Sequence, residues 1–234
     1  MATTQITEIR QLARQFAEAE LRPHVEQWDH DAQLDPQVLA QLAELGFFGM
    51  LIPESHGGME FDLPTYVSVL EELAWGEPAV AFIVATCNHV ARTIVQHGTD
   101  AQKQRWLEPM AQGTVISCVA AAEADAGSDL NAIRTQAGRE GADWIINGSK
   151  QWVSNGRAAQ LALVLARTGK DALSGFLVPT ESAGYRAGER ETTMGLRPLE
   201  IVSVQLERVP VTADAELQFP LPRLHQTLGV AAIA

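Results

Sequence analysis

Positive charge is in short supply: the 234 residues carry 17 lysines and arginines against 29 aspartates and glutamates, a formal net charge of −12. A nucleic-acid backbone or an anionic membrane would meet repulsion over most of such a surface, so no nucleic-acid partner is expected. Cysteine is scarcer. Cys87 and Cys118 stand apart in apolar runs with no Cys-x-x-Cys pair, which excludes a disulfide framework or a thiolate metal site and reads as core packing in a reducing compartment. The six histidines form no His-Glu-x-x-His or comparable pattern, so no metal is expected. Long apolar runs are missing too: the longest, residues 79–87, falls short of the roughly 20 residues a bilayer needs. The first ten residues hold no basic stretch leading into an apolar core. No secretory signal, no membrane insertion and a cytoplasmic location are therefore the expectations.

What is present suits a globular chain, with 46% hydrophobic residues in a length that fits one large domain or two ordinary ones. Apolar positions Ile9, Leu12, Ala13, Phe16, Ala19 and Leu21 recur at three and four, predicting an amphipathic helix from Thr7 to about Asp29, with Pro23 ending or kinking it. Asp35-Pro36, Asp62-Leu63-Pro64 and Glu77-Pro78 each pair a capping acid with a proline in the first helical turn, predicting three further helix starts. The third of these helices, 79–96, is apolar nearly all round and reads as central to a bundle, with Asn88 and His89 buried and satisfied inside it. Thr99 opens a last short helix with Trp106 and Leu107 turned inward.

At Gly113 the period changes, and strands are predicted at 115–122, 133–138, 143–147, 151–154, 160–167, 174–179 and 201–208. The stretch 186–198 shows little alternation and gives no element. Residues 222–234 resume a helical pattern. The fold class that follows is α+β: an α-helical bundle at 1–113, a middle β domain at 114–217, and the first helix of a C-terminal helical domain at 218–234.

Chemistry concentrates between Cys118 and Gly156. Small apolar residues suited to a buried strand break into Ala126-Gly127-Ser128-Asp129, where a glycine lets a ligand approach the backbone and Ser128 presents a donor. Asn147-Gly148 is a two-residue hairpin signal, so a return strand through Gln151 to Ser154 would set the Trp152 ring and the Ser154 hydroxyl side by side. Such a pair suits a flat heteroaromatic cofactor, the ring packing on it and the hydroxyl donating to a ring heteroatom. Taken alone, a Gly-Ser turn followed by a hairpin is more often structural.

Four motifs in order now matter together: Ile52-Pro53-Glu54…Gly57-Gly58, Gly98-Thr99…Gln102-Lys103, Glu123…Ala126-Gly127-Ser128-Asp129, and Asn147-Gly148…Lys150…Trp152-Val153-Ser154-Asn155-Gly156. Over essentially its whole length the chain resembles the acyl-CoA dehydrogenase family. The resemblance implies a helical N-terminal domain, a β-barrel-like middle domain and a helical C-terminal domain, here truncated after its first helix. It further implies FAD as cofactor, an acyl-CoA or other acyl thioester as substrate, an electron-transferring flavoprotein as redox partner, and a homo- or hetero-oligomer. By position, Val119, Ala121 and Ala122 would line the flavin's pyrimidine side. Gly127 and Ser128 would lie where acyl thioester and flavin meet, and Trp152, Val153 and Ser154 would pack on or bond to the isoalloxazine.

Some positions depart from the family's pattern. Ala122-Glu123-Ala124 replaces the usual Thr-Glu-Pro, removing a hydroxyl worth roughly 1 kcal/mol to flavin binding, and Leu199 and Ile201 stand where Ser and Thr are usual. The family's base is a glutamate of the C-terminal domain, and residues 217–234 contain no Asp or Glu, so no catalytic residue is expected within this chain. The functional expectation is FAD-dependent α,β-dehydrogenation of an acyl-CoA thioester by a fragment or one part of a split enzyme. The alternatives are a flavin monooxygenase of the same fold or an inactive dehydrogenase-like subunit.

Overall fold

A computed structural model describes residues 3–170 and 172–217. The helix expected over 218–234 lies outside them. Helix α1 (Thr3–Phe16) continues through a π turn at Ala17–Leu21 and a 3-10 turn at Arg22–His24 into α2 (Val25–Asp31). The looser and tighter turns sit around Pro23, which has no N–H to give the ladder and clashes with the preceding turn. Ala13, Phe16, Ala17 and Leu21 are buried along one stripe, whereas Leu12 lies outside it. The predicted caps form: Asp35 accepts from the Gln37 N–H before α3 (Pro36–Glu44), Asp62 from Thr65 N–H before α4 (Leu63–Gly76), and Glu77 from Ala79 N–H before α5 (Pro78–His97). Thr99 and Gln102 form a reciprocal capping box at the start of α6 (Asp100–Ala111).

Buried Glu72 of α4 takes Arg10 at 2.6 Å and Arg14 at 2.9 Å, fastening α1 to α4. Helix α5 is central, as expected, and at 20 residues it has the length and apolarity to cross a membrane, which the count of the 79–87 run had not suggested. Of its most apolar window, 72% is buried inside the molecule. Asn88 is buried and satisfied: its amide nitrogen donates to the Phe47 and Val84 carbonyls and its oxygen accepts from the Leu51 N–H. His89 corrects the expectation, since its Nε2 is buried without a partner.

The strands are β1 (Ser117–Ala120), β2 (Gln136–Glu140), β3 (Asp143–Ser154), β4 (Leu161–Gly169), β5 (Ala172–Pro179), β6 (Tyr185–Arg190), β7 (Ile201–Val211) and β8 (Glu216–Leu217). They make one mixed sheet of order β6-β7-β3-β2-β4-β5-β8, with β1 parallel to β4. The expected barrel is corrected in one respect: among the described residues the sheet does not close, and β6 and β8 lie at its borders.

A second correction concerns Asn147-Gly148. The hairpin lies earlier, at Gly141-Ala142, where Glu140 pairs Asp143 and Gly141 has φ +67. Residues 143–154 run as one strand. Asn147 does not take the positive φ a two-residue hairpin needs; its side-chain oxygen accepts the Arg208 N–H across the ladder. Gly148 marks a bulge, and a Cβ there would lie 2.4 Å from Thr135 Oγ1. The Asn155-Gly156 turn forms as expected, with Asn155 at φ +58.

Strand β4 joins the halves of the molecule. Leu161, Leu163 and Leu165 pack with Val90, Ile94, Leu107 and Met110 of α5 and α6. The alternating Ala162, Val164 and Ala166 face the other way, into a core with Ile146, Val153, Phe176 and Val204. Burial on both faces explains its unbroken apolar run.

Candidate functional site

Beyond β1 the chain passes Ala121 and Ala122 into a tight turn closed by Glu123 and Ala126, whose backbones bond reciprocally at 2.7 and 3.2 Å. Gly127 and Ser128 follow, both exposed, and a Cβ at Gly127 would meet nothing within 4 Å. Asp129 accepts from the Asn131 N–H and starts a 3-10 turn. The turn is therefore an open, donor-bearing bend.

Strand β3 reaches this bend from the other side. Its Gln151 N–H donates to the Ala122 carbonyl at 2.9 Å, so the segment entering the bend and the strand carrying Trp152 are hydrogen-bonded neighbours. Between Lys150 and Val153 the register with β7 shifts, and Trp152 sits at φ +60 in that bulge. A bulge re-aims a side chain, and Trp152 is 59% exposed, although large aromatics usually bury. Val153 is fully buried among Cys118, Ala120 and Val202 and pairs with Val202 of β7. Half-buried Ser154 lies two residues beyond Trp152, with Val153 turned into the core between them. Trp152 is thus exposed and Ser154 half-buried on the stretch of β3 whose Gln151 N–H bonds the Ala122 carbonyl. Val119 and Ala121 are half-buried and pack toward the helix-side core, opposite the core that holds Val153.

Glu123 and Lys150, quoted in the motifs without a role, form a buried ion pair across the two segments. Lys150 Nζ is fully buried and lies 2.7 Å from Glu123 Oε1 and 3.1 Å from the Ala121 carbonyl. The Glu123 carboxylate also accepts the Arg134 and Thr135 N–H groups at 2.7 and 3.0 Å. Burial alone would raise the Glu123 pKa, but its bonds from Lys150, Thr135 and Arg134 outweigh that and hold it below the ordinary carboxylate value. Burial pushes Lys150 down to about 8, with Glu123 opposing. The available sequence signal was a lysine at an inward position of β3; nothing in the spacing named its partner.

Cys87 and Cys118 are free and buried, and burial raises their thiols to about 11 and about 12, so both are unreactive packing groups. Leu199 is buried in the helical core, and half-buried Ile201 packs against it. This apolar role accounts for their departure from Ser and Thr. The loop carrying them straps helices to sheet: Arg197 pairs with Asp29 at 3.5 Å, and the Glu200 carbonyl accepts the Asn155 N–H at 2.6 Å.

Comparison with known proteins places this arrangement. The family description "Acyl-CoA dehydrogenase, N-terminal domain" matches residues 3–114, and "Acyl-CoA dehydrogenase, middle domain" matches residues 118–209. The mitochondrial short-chain specific acyl-CoA dehydrogenase of Rattus norvegicus is 33% identical over 209 residues, covering 86% of this chain and 51% of that protein. Glutaryl-CoA dehydrogenase from Mycobacterium smegmatis, solved in complex with FADH2, aligns with a TM-score of 0.91 at 32% identity over 98% of this chain and 61% of that one. A chain from the structure of the electron transferring flavoprotein of Acidaminococcus fermentans aligns at 0.94 and 30% identity, covering 99% and 63%. The chain therefore spans between half and two thirds of the length of these relatives. With both family descriptions matched in order and the fold shared throughout, the chain belongs to the acyl-CoA dehydrogenase family.

Proposed function

We propose that this chain provides the flavin-facing and thioester-facing walls of an FAD-dependent acyl-CoA dehydrogenase. The observation that carries the reading is the exposed indole of Trp152, at a bulge two residues before Ser154 on a strand bonded to Ala122. These residues fit a flat tricyclic ring: an exposed aromatic face, a hydroxyl donor, and neighbouring small side chains at Ala121 and Ala122 that leave the backbone accessible. Ala122 contributes no hydroxyl of its own, so Ser154 is the side-chain donor along this edge. Bound FAD supplies the hydride acceptor of the reaction.

The chain's own residues then have separable tasks. Trp152 offers an apolar face and excludes water from one side of the ring, the Val153 main chain and Ser154 hydroxyl orient its edge, and Gly127 and Ser128 present donors to the thioester. No residue of this chain is assigned as the base that takes the α-proton; that group comes from a further helical domain or a partner chain. Acyl-CoA as carrier and an electron-transferring flavoprotein as oxidant belong to the same proposal, supported by the names of the relatives; oligomeric assembly is proposed with them. A titration of the 234-residue chain with FAD tests it. Saturable binding that weakens about tenfold in Trp152→Ala, a loss of about 1.4 kcal/mol, is the expected result. Binding unaffected by either Trp152→Ala or Ser154→Ala would remove the reading.

A further inference from the structure

We infer that Lys150 is a positioning residue, whose ammonium locks the Ala121–Glu123 segment against the Trp152 bulge and so sets the spacing of the two walls. The inference deepens the reading above and rests on it for its cofactor consequence. Two walls from different strands need a fixed separation if a rigid planar ring is to touch both, and a supporting shell left loose by about 1 Å degrades such a site.

The fastening converges on one side chain. Lys150 Nζ, fully buried, reaches Glu123 Oε1 at 2.7 Å and the Ala121 carbonyl at 3.1 Å, one contact on each side of Ala122. The adjacent Gln151 N–H bonds the Ala122 carbonyl at 2.9 Å. Three consecutive residues of the entering segment are thereby tied to two consecutive residues of β3, immediately before Trp152. On its far side Glu123 is held by the Arg134 and Thr135 N–H groups, so the lysine pulls against an anchored carboxylate. An apolar residue of similar volume would fill the same buried position without the cost of desolvating a charge.

Two variants test the inference. Lys150→Met leaves the Glu123 carboxylate buried and unpaired, and stability loss follows from that alone. The double variant Lys150→Met with Glu123→Gln removes both charges and keeps one of the two oxygens that accept the Arg134 and Thr135 N–H groups, which restores part of the melting temperature lost in Lys150→Met. Amide exchange of Gln151 is read first, without any cofactor. In the double variant it is expected to speed about tenfold relative to amides elsewhere in β3, because the Ala122 carbonyl is no longer held against it. FAD titration is read second, with affinity expected to fall about tenfold, and the flavin's visible absorption band to change shape, in a protein that melts closer to wild type than Lys150→Met does. Unchanged Gln151 exchange in the double variant overturns the positioning role. Faster exchange with unchanged FAD affinity and band shape overturns its cofactor consequence. If the unmodified chain takes up no FAD, the proposed function fails, while the exchange measurement still decides what Lys150 holds.

Discussion

At the scale of single residues, two neighbours on α5 make opposite predictions. Asn88 gives both hydrogens and its oxygen to Phe47, Val84 and Leu51, all buried. Asn88→Ala strands the Leu51 N–H and the Phe47 carbonyl, and a loss of about 3 kcal/mol in urea-unfolding stability is expected. His89 has no partner for Nε2, and burial lowers its pKa from 6.5 to about 4. Between those values the unfolded imidazole binds protons that the folded one refuses, so stability is full above pH 6.5 and falls as the pH drops toward 4. The loss amounts to about 3 kcal/mol at most. Unfolding at pH 7 and pH 4.5 should show this slope in the wild type and not in His89→Leu. Glu123 acts from the foot of that window downward: its depressed carboxyl stabilises the fold above the ordinary carboxylate value, and that stability is lost as pH falls through the lowered one. From sequence, both α5 side chains were legible as buried, because α5 is apolar all round. That only one would be satisfied was not, since the partners of Asn88 come from a loop some 40 residues away.

At the scale of elements, local chemistry was read well where it is truly local. Asp35, Asp62, Glu77 and Thr99 cap because each bonds an N–H two or three residues ahead. Thr99→Ala is expected to cost about 1 kcal/mol by thermal unfolding. Asn147-Gly148 was misread because its outcome depends on β2 and β7. A cross-strand bond to Arg208 and the close approach of Thr135 use the asparagine side chain and the bare glycine for a bulge. Gly148→Ala is therefore expected to destabilise by about 2 kcal/mol through overpacking against Thr135. Strand β6 left little trace in the sequence because it borders the sheet and lacks a dry face to impose alternation.

At the scale of the molecule, the division into helical and β halves was legible from the change of period near Gly113. Their union was not. Leucines of β4 share a core with α5 and α6, and Leu199 returns from the β half into the helical core. One cooperative transition follows. Leu163→Ala, which opens a cavity at that junction, is expected to cost about 3 kcal/mol and to shift far-UV circular dichroism and tryptophan fluorescence together. The exposure of Trp152 does not come from the hairpin expected at Asn147-Gly148. What turns the indole outward is a bulge.

The open borders of the sheet bear on how copies of the chain behave in a crowded solution. Among the described residues strand β6 pairs with β7 alone, its Gly188 carbonyl accepts from Arg157, and it carries Arg186, Glu189 and Arg190 and breaks register between Ala187 and Arg190. Charged side chains and a kinked ribbon make a poor template for a foreign strand, so this border guards against fibrillar self-association that a flat, apolar one would invite.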